Sequence, residues 1–273
     1  MRKLIYDVGM HKGEDTDFYL KKGFDVVGIE ADPTLVVGLR ERFAEELDSG
    51  RLRIVAKAIN DKAGSARFAV NPNISVWGTL DDSFAARNAS QGAGHEFIDV
   101  ECVTFDEVMA EHGIPYYLKI DIEGREMLCL EALARVTERP KYLSIESCAS
   151  SPGFGVRDTL KEVRVVKALG YTRFQYVDQS SVPGLRHRGT HEGNAIAHTF
   201  PVESSGPFGA DLDGPWHDYR STMIRGAALR WIDDACGHSG RLYRRKGMWR
   251  FRDLRLRLTG TLDHWYDLQA ALV

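Results

Sequence analysis

No run of about 18 apolar residues occurs in the chain, so the sequence offers no membrane-spanning helix. Cysteine is scarce: Cys102, Cys129, Cys148 and Cys236 lie far apart and make neither a CxxC pair nor a disulfide-scaffold pattern, which points to a reduced, cytoplasmic setting. Only MRK precedes the apolar LIY, too little for a signal peptide. Strong charge of one sign is also missing. A formal net charge of -3 leaves no whole-protein nucleic-acid footprint, and 43% hydrophobic content speaks against disorder. There is no internal repeat and no GxGxxG fingerprint. Function must therefore come from local motifs.

What the chain does have is alternation. Its 273 residues have room for one large α/β domain with additions, the favoured reading, or for two small domains. Strand-like runs KLIYDV, DVVGIE, LRIVAKAI, YLKI, KYLSIES and TRFQYV are separated by helical periodicity at TDFYLKKG, 33–48, MLCLEALARV and 156–169. That pattern predicts a parallel sheet with crossover helices. GSARFAV and FIDVECV read as short antiparallel strands, and TFDEVMAEHGI as a helix behind a Thr-x-x-Glu capping signal. Beyond residue 178 the pattern changes to Gly, Ser, Pro and His, with a strand-like AIAHTF inside, which predicts a long loop or lid. The stretch 241–258, RLYRRKGMWRFRDLRLRL, has eight basic residues and one acid; taken from the chain's 36 and 39, these leave 28 basic against 38 acidic. This basic run suits a solvated face, cover for an acidic neighbour or an acidic partner, and the alternation of LRLRL suggests an edge strand there.

The first turn carries the chemistry. In open α/β sheets ligands bind beyond the carboxyl ends of the strands, and DVGMHKG places Asp7, Gly9 and Gly13 there, with Glu14 and Asp15 just behind. Acids around the turn repel a pyrophosphate but suit a cationic ligand. Glu30 ends the second strand, where a carboxylate can take both hydroxyls of a ribose. A ribose acid plus an acidic glycine turn describes a nucleoside with a cationic, amino-acid-bearing arm, a description that fits S-adenosylmethionine. His11 within the turn, and Ala31 and Asp32 after Glu30, complete the expected cofactor contacts.

Asp121 in YLKIDIEG and Glu146 in YLSIES end two further strands. As neighbours about 5 Å apart in the pairing direction they would face one crevice, as a general base for a hydroxyl or as two oxygen ligands for Mg²⁺. The plainer reading makes them helix caps, or partners of Lys119 or Arg125. A histidine is the other candidate base, and among His11, His187, His191 and His198 the Gly-flanked His191, next to Glu192 in the lid, is preferred. Trp216 and the Trp77 loop are candidate aromatic walls for a sugar, with a plain core or interface role as the equal alternative.

YDVGMHKGEDT, VVGIEADP, AINDKAGSARFAV, VTFDEVMAEHGI and above all YLKIDIEGREMLCLEAL resemble the FkbM-type S-adenosylmethionine-dependent methyltransferases over residues 3–178. The resemblance implies a Rossmann-like class I methyltransferase sheet with helices on both faces, here with a C-terminal lid or extension, and methyl transfer to a hydroxyl of a sugar, polyketide or related natural product. By position it makes Asp7, Gly9 and Gly13 the first cofactor motif, Glu30 the ribose acid, and Asp121, Glu123 and Gly124 the signature after the fourth strand; SSGPFG at 204–209 also looks like a block seen after the core in some members. The expected organisation is a cofactor-binding domain over 1–200 and an extension over 201–273 packed on it. Expected partners are a small-molecule or oligosaccharide acceptor and a second copy in a homodimer, without nucleic acid. The competing readings are a nicotinamide-dependent oxidoreductase, against which the missing GxGxxG counts, and a non-catalytic cofactor-binding module.

Overall fold

The computed structural model describes residues 3–71, 78–81, 96–151, 153–237, 249–262 and 264–272. The chain falls into two compact units, Met1–Leu143 with Arg188–His198, and Ser144–His187 with Thr199–Val273. The Trp77 loop, and residues 241–248 of the basic run, lie outside the described residues.

The first unit contains strands β1 (Leu4–Val8), β2 (Asp25–Ile29), β3 (Leu52–Val55), β4 (Ala58–Ile59), β5 (Gly64–Val70), β6 (Glu96–Val103) and β7 (Tyr117–Ile120). Its helices are α1 (Glu14–Lys21), α2 (Pro33–Arg42), α3 (Ala44–Asp48), α4 (Phe105–His112) and α5 (Glu126–Arg135). The main sheet runs β3-β2-β1-β7, with all three pairings parallel. Ile5, Tyr6, Val8, Val26, Val27, Ile29, Leu118 and Ile120 are buried along it, so these strands read as continuous apolar runs, as parallel strands covered on both faces must. Strand order reverses between β1 and β7, which creates the switch point where an open α/β sheet leaves a crevice.

A smaller sheet, β4-β6-β5, pairs β5 and β6 antiparallel, as the sequence pattern requires, over a cluster of Ala58, Phe68, Val100 and Cys102. The expected single strand LRIVAKAI is two. The Val55 carbonyl accepts from Lys57 N–H at 2.9 Å, a tight turn that sends Ala58 and Ile59 into the smaller sheet; the same carbonyl accepts from Glu30 N–H at 3.1 Å. The expected helix 33–48 is likewise broken. Phe43 leaves helical geometry at φ -113, ψ 30 and buries its ring, so α2 and α3 are separate. The Thr104–Glu107 capping box of α4 forms as its sequence signal predicts.

The second unit begins two residues into β8 (Tyr142–Glu146) and contains β9 (Arg173–Asp178), β10 (Arg186–His187), the end of β11 (His198–Thr199) and β12 (Tyr266–Ala271). Its helices are α6 (Val156–Ala168), α7 (Tyr219–Cys236) and α8 (Trp249–Thr259). β12 lies between β8 and β9 and runs antiparallel to β9. The LRLRL segment is a correction: it lies in helix α8, because an alternation of Leu and Arg is as compatible with an exposed helix as with an edge strand. Of AIAHTF, only His198 and Thr199 are extended in a strand. With these strands and helices the chain is an α/β fold built on a mostly parallel, Rossmann-type sheet. No helix of the described residues is long and apolar enough to cross a membrane.

Candidate functional site

The carboxyl ends of β1, β2 and β7 converge on one loop cluster. Gly9 (φ 83), His11 (φ 51) and Gly13 (φ 80) curl the chain tightly between β1 and α1. A Cβ on Gly9 would lie 1.7 Å from the Asp121 carbonyl oxygen, so this glycine is required by the neighbouring loop rather than by a ligand. Gly13 is enforced in the same way, since a Cβ there would lie 2.4 Å from the Phe43 ring.

Every backbone N–H from Gly9 to Gly13 is used inside the protein. Gly9 and Met10 donate to the Ile29 carbonyl, His11 to Glu30 Oε2, Lys12 to Glu14 Oε2 and Gly13 to the Met10 carbonyl. Glu14, Asp15 and Asp17 already complement the positive end of α1. Both features remove what a pyrophosphate would need at this turn.

Asp7 is fully buried, accepting from Thr16 Oγ1 at 2.7 Å and from Lys119 Nζ at 3.2 Å; Lys119 also lies 3.4 Å from Asp15. The carboxylate expected to meet the cofactor is thus the buried anchor of the turn. Lys119, in the middle of YLKI, is expected from the sequence as a partner of Asp121 or Glu146; the structure pairs it with Asp7 and Asp15, and a lysine inside an otherwise apolar strand signals such a buried partner.

Glu30 occupies the position foreseen for the ribose acid. It is buried, with Oε2 accepting from His11 N–H at 2.8 Å and Oε1 from Asp32 N–H at 2.9 Å. Two backbone donors occupy two of a carboxylate's roughly four acceptor directions and leave two for hydroxyls. Burial pushes the Glu30 carboxyl up to about 7, against the lowering effect of those N–H groups and of His11. His11 Nδ1 lies 3.4 Å from Glu14, whose pKa is lowered: burial, the largest single influence, would raise it, but the hydrogen bond and charge of His11, a backbone N–H and the Lys119 charge together outweigh it. Asp32 is engaged as the cap of α2, accepting from Thr34 N–H at 2.8 Å, and Ala31 packs against the core of the smaller sheet.

The loop after β7 is stapled from within. Glu126, at the first position of α5, accepts from Ile122 N–H at 3.2 Å and from Gly124 N–H at 3.0 Å, and burial, opposed by those bonds, raises its pKa. Thr79 Oγ1 donates to the Glu123 carbonyl at 2.8 Å, and Arg125 donates to Asn60 Oδ1 at 3.2 Å. Glu123 and Gly124 hold positive φ. Asp121 and Glu123 are half-buried and bring carboxylate oxygens within 4.8 Å of each other. Glu146 closes β8, half-buried. Glu126 was legible only as the second acid of IEGRE, with nothing to show that it turns back onto the loop.

His191 is not at this edge, which corrects the expected lid. Its segment packs under the amino-terminal ends of the strands: Asn194 N–H donates to the Lys22 carbonyl at 2.8 Å, Lys22 Nζ to the Gly189 carbonyl at 3.0 Å, and Tyr116 OH to Glu192 at 2.8 Å. Tyr116 precedes β7 and Asp121 follows it, so about 16 Å of strand separates the two edges. His191 itself is exposed, and Glu192 is buried. His198 lies with its ring 5.2 Å from that of Phe18, and His187 stands 3.4 Å from Asp211. The SSGPFG block at 204–209 is entirely buried, and Trp216 is half-buried.

Solved structures similar to the chain include a methyltransferase FkbM from Methylobacillus flagellatus KT, 18% identical over 54% of this chain and 33% of that one, with a TM-score of 0.36. This chain therefore spans a third of that protein's length. A precorrin-6y C5,15-methyltransferase from Geobacter metallireducens GS-15 is 8% identical over 100% and 81%, at a TM-score of 0.41. A 1,6-didemethyltoxoflavin-N1-methyltransferase from Burkholderia thailandensis, solved with S-adenosylhomocysteine, is 14% identical over 65% and 64%, at 0.34. No curated protein matches. The pattern of the Methyltransferase FkbM domain matches residues 7–173, well over half of the sequence and including the whole loop cluster from Asp7 to Glu126, and the chain belongs to that family.

Proposed function

We propose that the protein is an S-adenosylmethionine-dependent O-methyltransferase acting on a hydroxyl of a carbohydrate or related natural product. The observation that carries the cofactor assignment is Glu30, held by two backbone N–H groups at the end of β2 with acceptor capacity left for a ribose diol. The consumed N–H groups of the Gly9–Gly13 turn weigh against the nicotinamide reading, because a dinucleotide needs such donors for its pyrophosphate. Family membership supports methyl transfer.

In this reading Asp7, Gly9 and Gly13 shape the turn, and His11, Ala31 and Asp32 flank the adenosine. The amino-acid arm lies near the acidic start of α1. In-line attack by an acceptor oxygen on the methyl carbon needs alignment above all, so positioning supplies much of the acceleration. Asp121, at the switch point, is the group assigned to accept the hydroxyl proton, with Glu146 as the second carboxylate. Asp121 and Glu123 are hard oxygen donors of the type Mg²⁺ prefers, with Glu146 the further ligand assigned. A bound Mg²⁺ would hold and acidify the acceptor hydroxyl. Residues 1–200 form the cofactor domain and 201–273 its extension in the same reading.

Calorimetry with S-adenosylmethionine tests the first step: binding is expected, weakened at least tenfold in Glu30→Ala, and no heat with either protein would overturn it. Transfer of labelled methyl to a panel of sugars separates an enzyme from a cofactor-binding module. Loss of transfer in EDTA and its return with Mg²⁺ is expected for the metal; full transfer in chelator leaves Asp121 as base alone.

A further inference from the structure

One helix of the second unit, α7, is turned inside out. Residues at helical spacing share a face, and on α7 the exposed positions 220, 224, 225, 228, 231 and 232 lie together while Thr222, Gly226, Arg230 and Asp233 are buried. The inward face carries the charge network: Arg230 donates to Asp233 at 2.8 Å and to Asp234 at 2.9 Å. The outward face carries Ile224, Trp231 and Ile232, with Ile224 72% exposed.

The adjoining α8 is exposed nearly all round. Arg255 is nearly buried, 3.7 Å from Asp233, whereas Phe251, Leu254 and Leu258, at i, i+3 and i+7, are exposed, Leu258 to 75%. Trp249 and Trp265 are exposed as well, so three of the chain's five tryptophans, with Trp231, are exposed on this part of the second unit.

Packing fixes the orientation of α7. A Cβ on Gly226 would lie 2.4 Å from Tyr176 Oη, so the inward face cannot be exchanged for the outward one. Exposed apolar side chains in such number mark an interaction surface. The charge around them selects the partner: Arg220, Arg225, Arg250 and Arg257 are exposed on the two helices against Asp253 as the exposed acid. A second copy would present the same arginines across an isologous contact. Helices with Trp, Phe and Leu outward and Arg between them suit the headgroup boundary of a bilayer, where indole rings bury their bodies and guanidinium groups reach lipid phosphates.

We propose that the outward face of α7, together with the exposed apolar and arginine side chains of α8, docks on an anionic lipid membrane. The proposal stands apart from methyl transfer and does not depend on the cofactor.

The test is flotation of the full chain with phosphatidylcholine vesicles with and without phosphatidylglycerol. At least tenfold more protein is expected on the anionic vesicles, with a tryptophan blue shift and release in 0.5 M salt. Arg225→Glu and Arg257→Glu should each reduce partition about fivefold, and Trp231→Glu and Phe251→Glu should remove the blue shift, all with unchanged circular dichroism. Absence of flotation, equal flotation on neutral vesicles, or variants that float like the parent would overturn the proposal. So would a dimer dissolved by Trp231→Glu, which assigns the face to a second copy, or equally tight binding to polyglutamate, which assigns it to an acidic protein.

Discussion

The first unit has two edges built from the same strands, and they use charge in opposite ways. At the carboxyl edge, Asp7, Asp15 and Lys119 are buried beneath a loop whose N–H groups all have acceptors within the protein, and one acid, Glu30, keeps spare acceptor directions. At the amino edge, Glu192 is buried under Tyr116, and burial, with the hydrogen bond to Glu192, raises the Tyr116 hydroxyl. The first arrangement presents an acceptor to the crevice; the second fastens residues 188–198 to the sheet. A buried carboxylate is thus no sign of a ligand site until its hydrogen bonds are accounted for.

The contrast can be broken most severely at Gly9. Gly9→Ala puts a Cβ against the Asp121 carbonyl at positive φ, and a loss of about 4 kcal/mol or more, enough to prevent folding, is expected by denaturant titration. Next comes Lys119→Met, which leaves Asp7 and Asp15 without their shared cation; about 3 to 5 kcal/mol should be lost. If Lys119→Met retained wild-type stability, the buried network would not be what holds the turn.

Glu30→Gln sharpens the comparison in the other direction. Cofactor affinity should fall about tenfold or more at pH 8, with about 1 to 3 kcal/mol of stability lost because the amide nitrogen cannot accept from the His11 or Asp32 N–H it faces. Because the Glu30 carboxyl sits at about 7, wild-type affinity should rise between pH 6 and pH 8 as the acceptor ionises, and calorimetry on the variant should show a flat profile over that range. Stability has the reverse sign. Between about 4.5 and 7 the folded chain holds a proton that the unfolded chain has released, so burial of Glu30 makes stability decline as pH rises through that window, a slope missing from Glu30→Gln. The smallest effects belong to the amino edge: Glu192→Gln should cost about 1 kcal/mol and leave cofactor affinity unchanged, and His191→Ala should alter neither by more than about 0.5 kcal/mol. Loss of cofactor affinity in His191→Ala would restore that segment to the crevice.

Most of the first unit was legible because its signals are local. Apolar runs ending in Asp7, Glu30 and Asp121 gave the strands and the edge at which they meet, and Thr104 with Glu107 gave a helix start. What escaped depends on partners far along the chain. Nothing within DVGMHKG says that Gly9 answers to Asp121, or that Asp7 answers to Lys119 over a hundred residues away. The position of His191 escaped for the same reason, since Gly-rich neighbours suit a lid and a strap equally well. In the second unit the failure lay in the pattern itself: α8 buries no residue, leaves Arg252 and Arg255 half-buried and exposes Leu254, Leu256 and Leu258, so the usual apolar-inward rule has no purchase on its sequence.

One carbonyl has a wider reach than its size suggests. Val55 C=O accepts both from Glu30, the acid assigned to the ribose, and from Lys57, where the chain departs for the smaller sheet. The two lone pairs of a single oxygen therefore clamp the mouth of the crevice to the root of another layer. A ligand that steadies Glu30 would damp the thermal wandering of β4 and, through its pairing with β6, of strands some forty residues further along. Slowed amide exchange in Cys102 and Val103 on ligand addition would be the trace of that linkage, a readout remote from any atom the ligand touches.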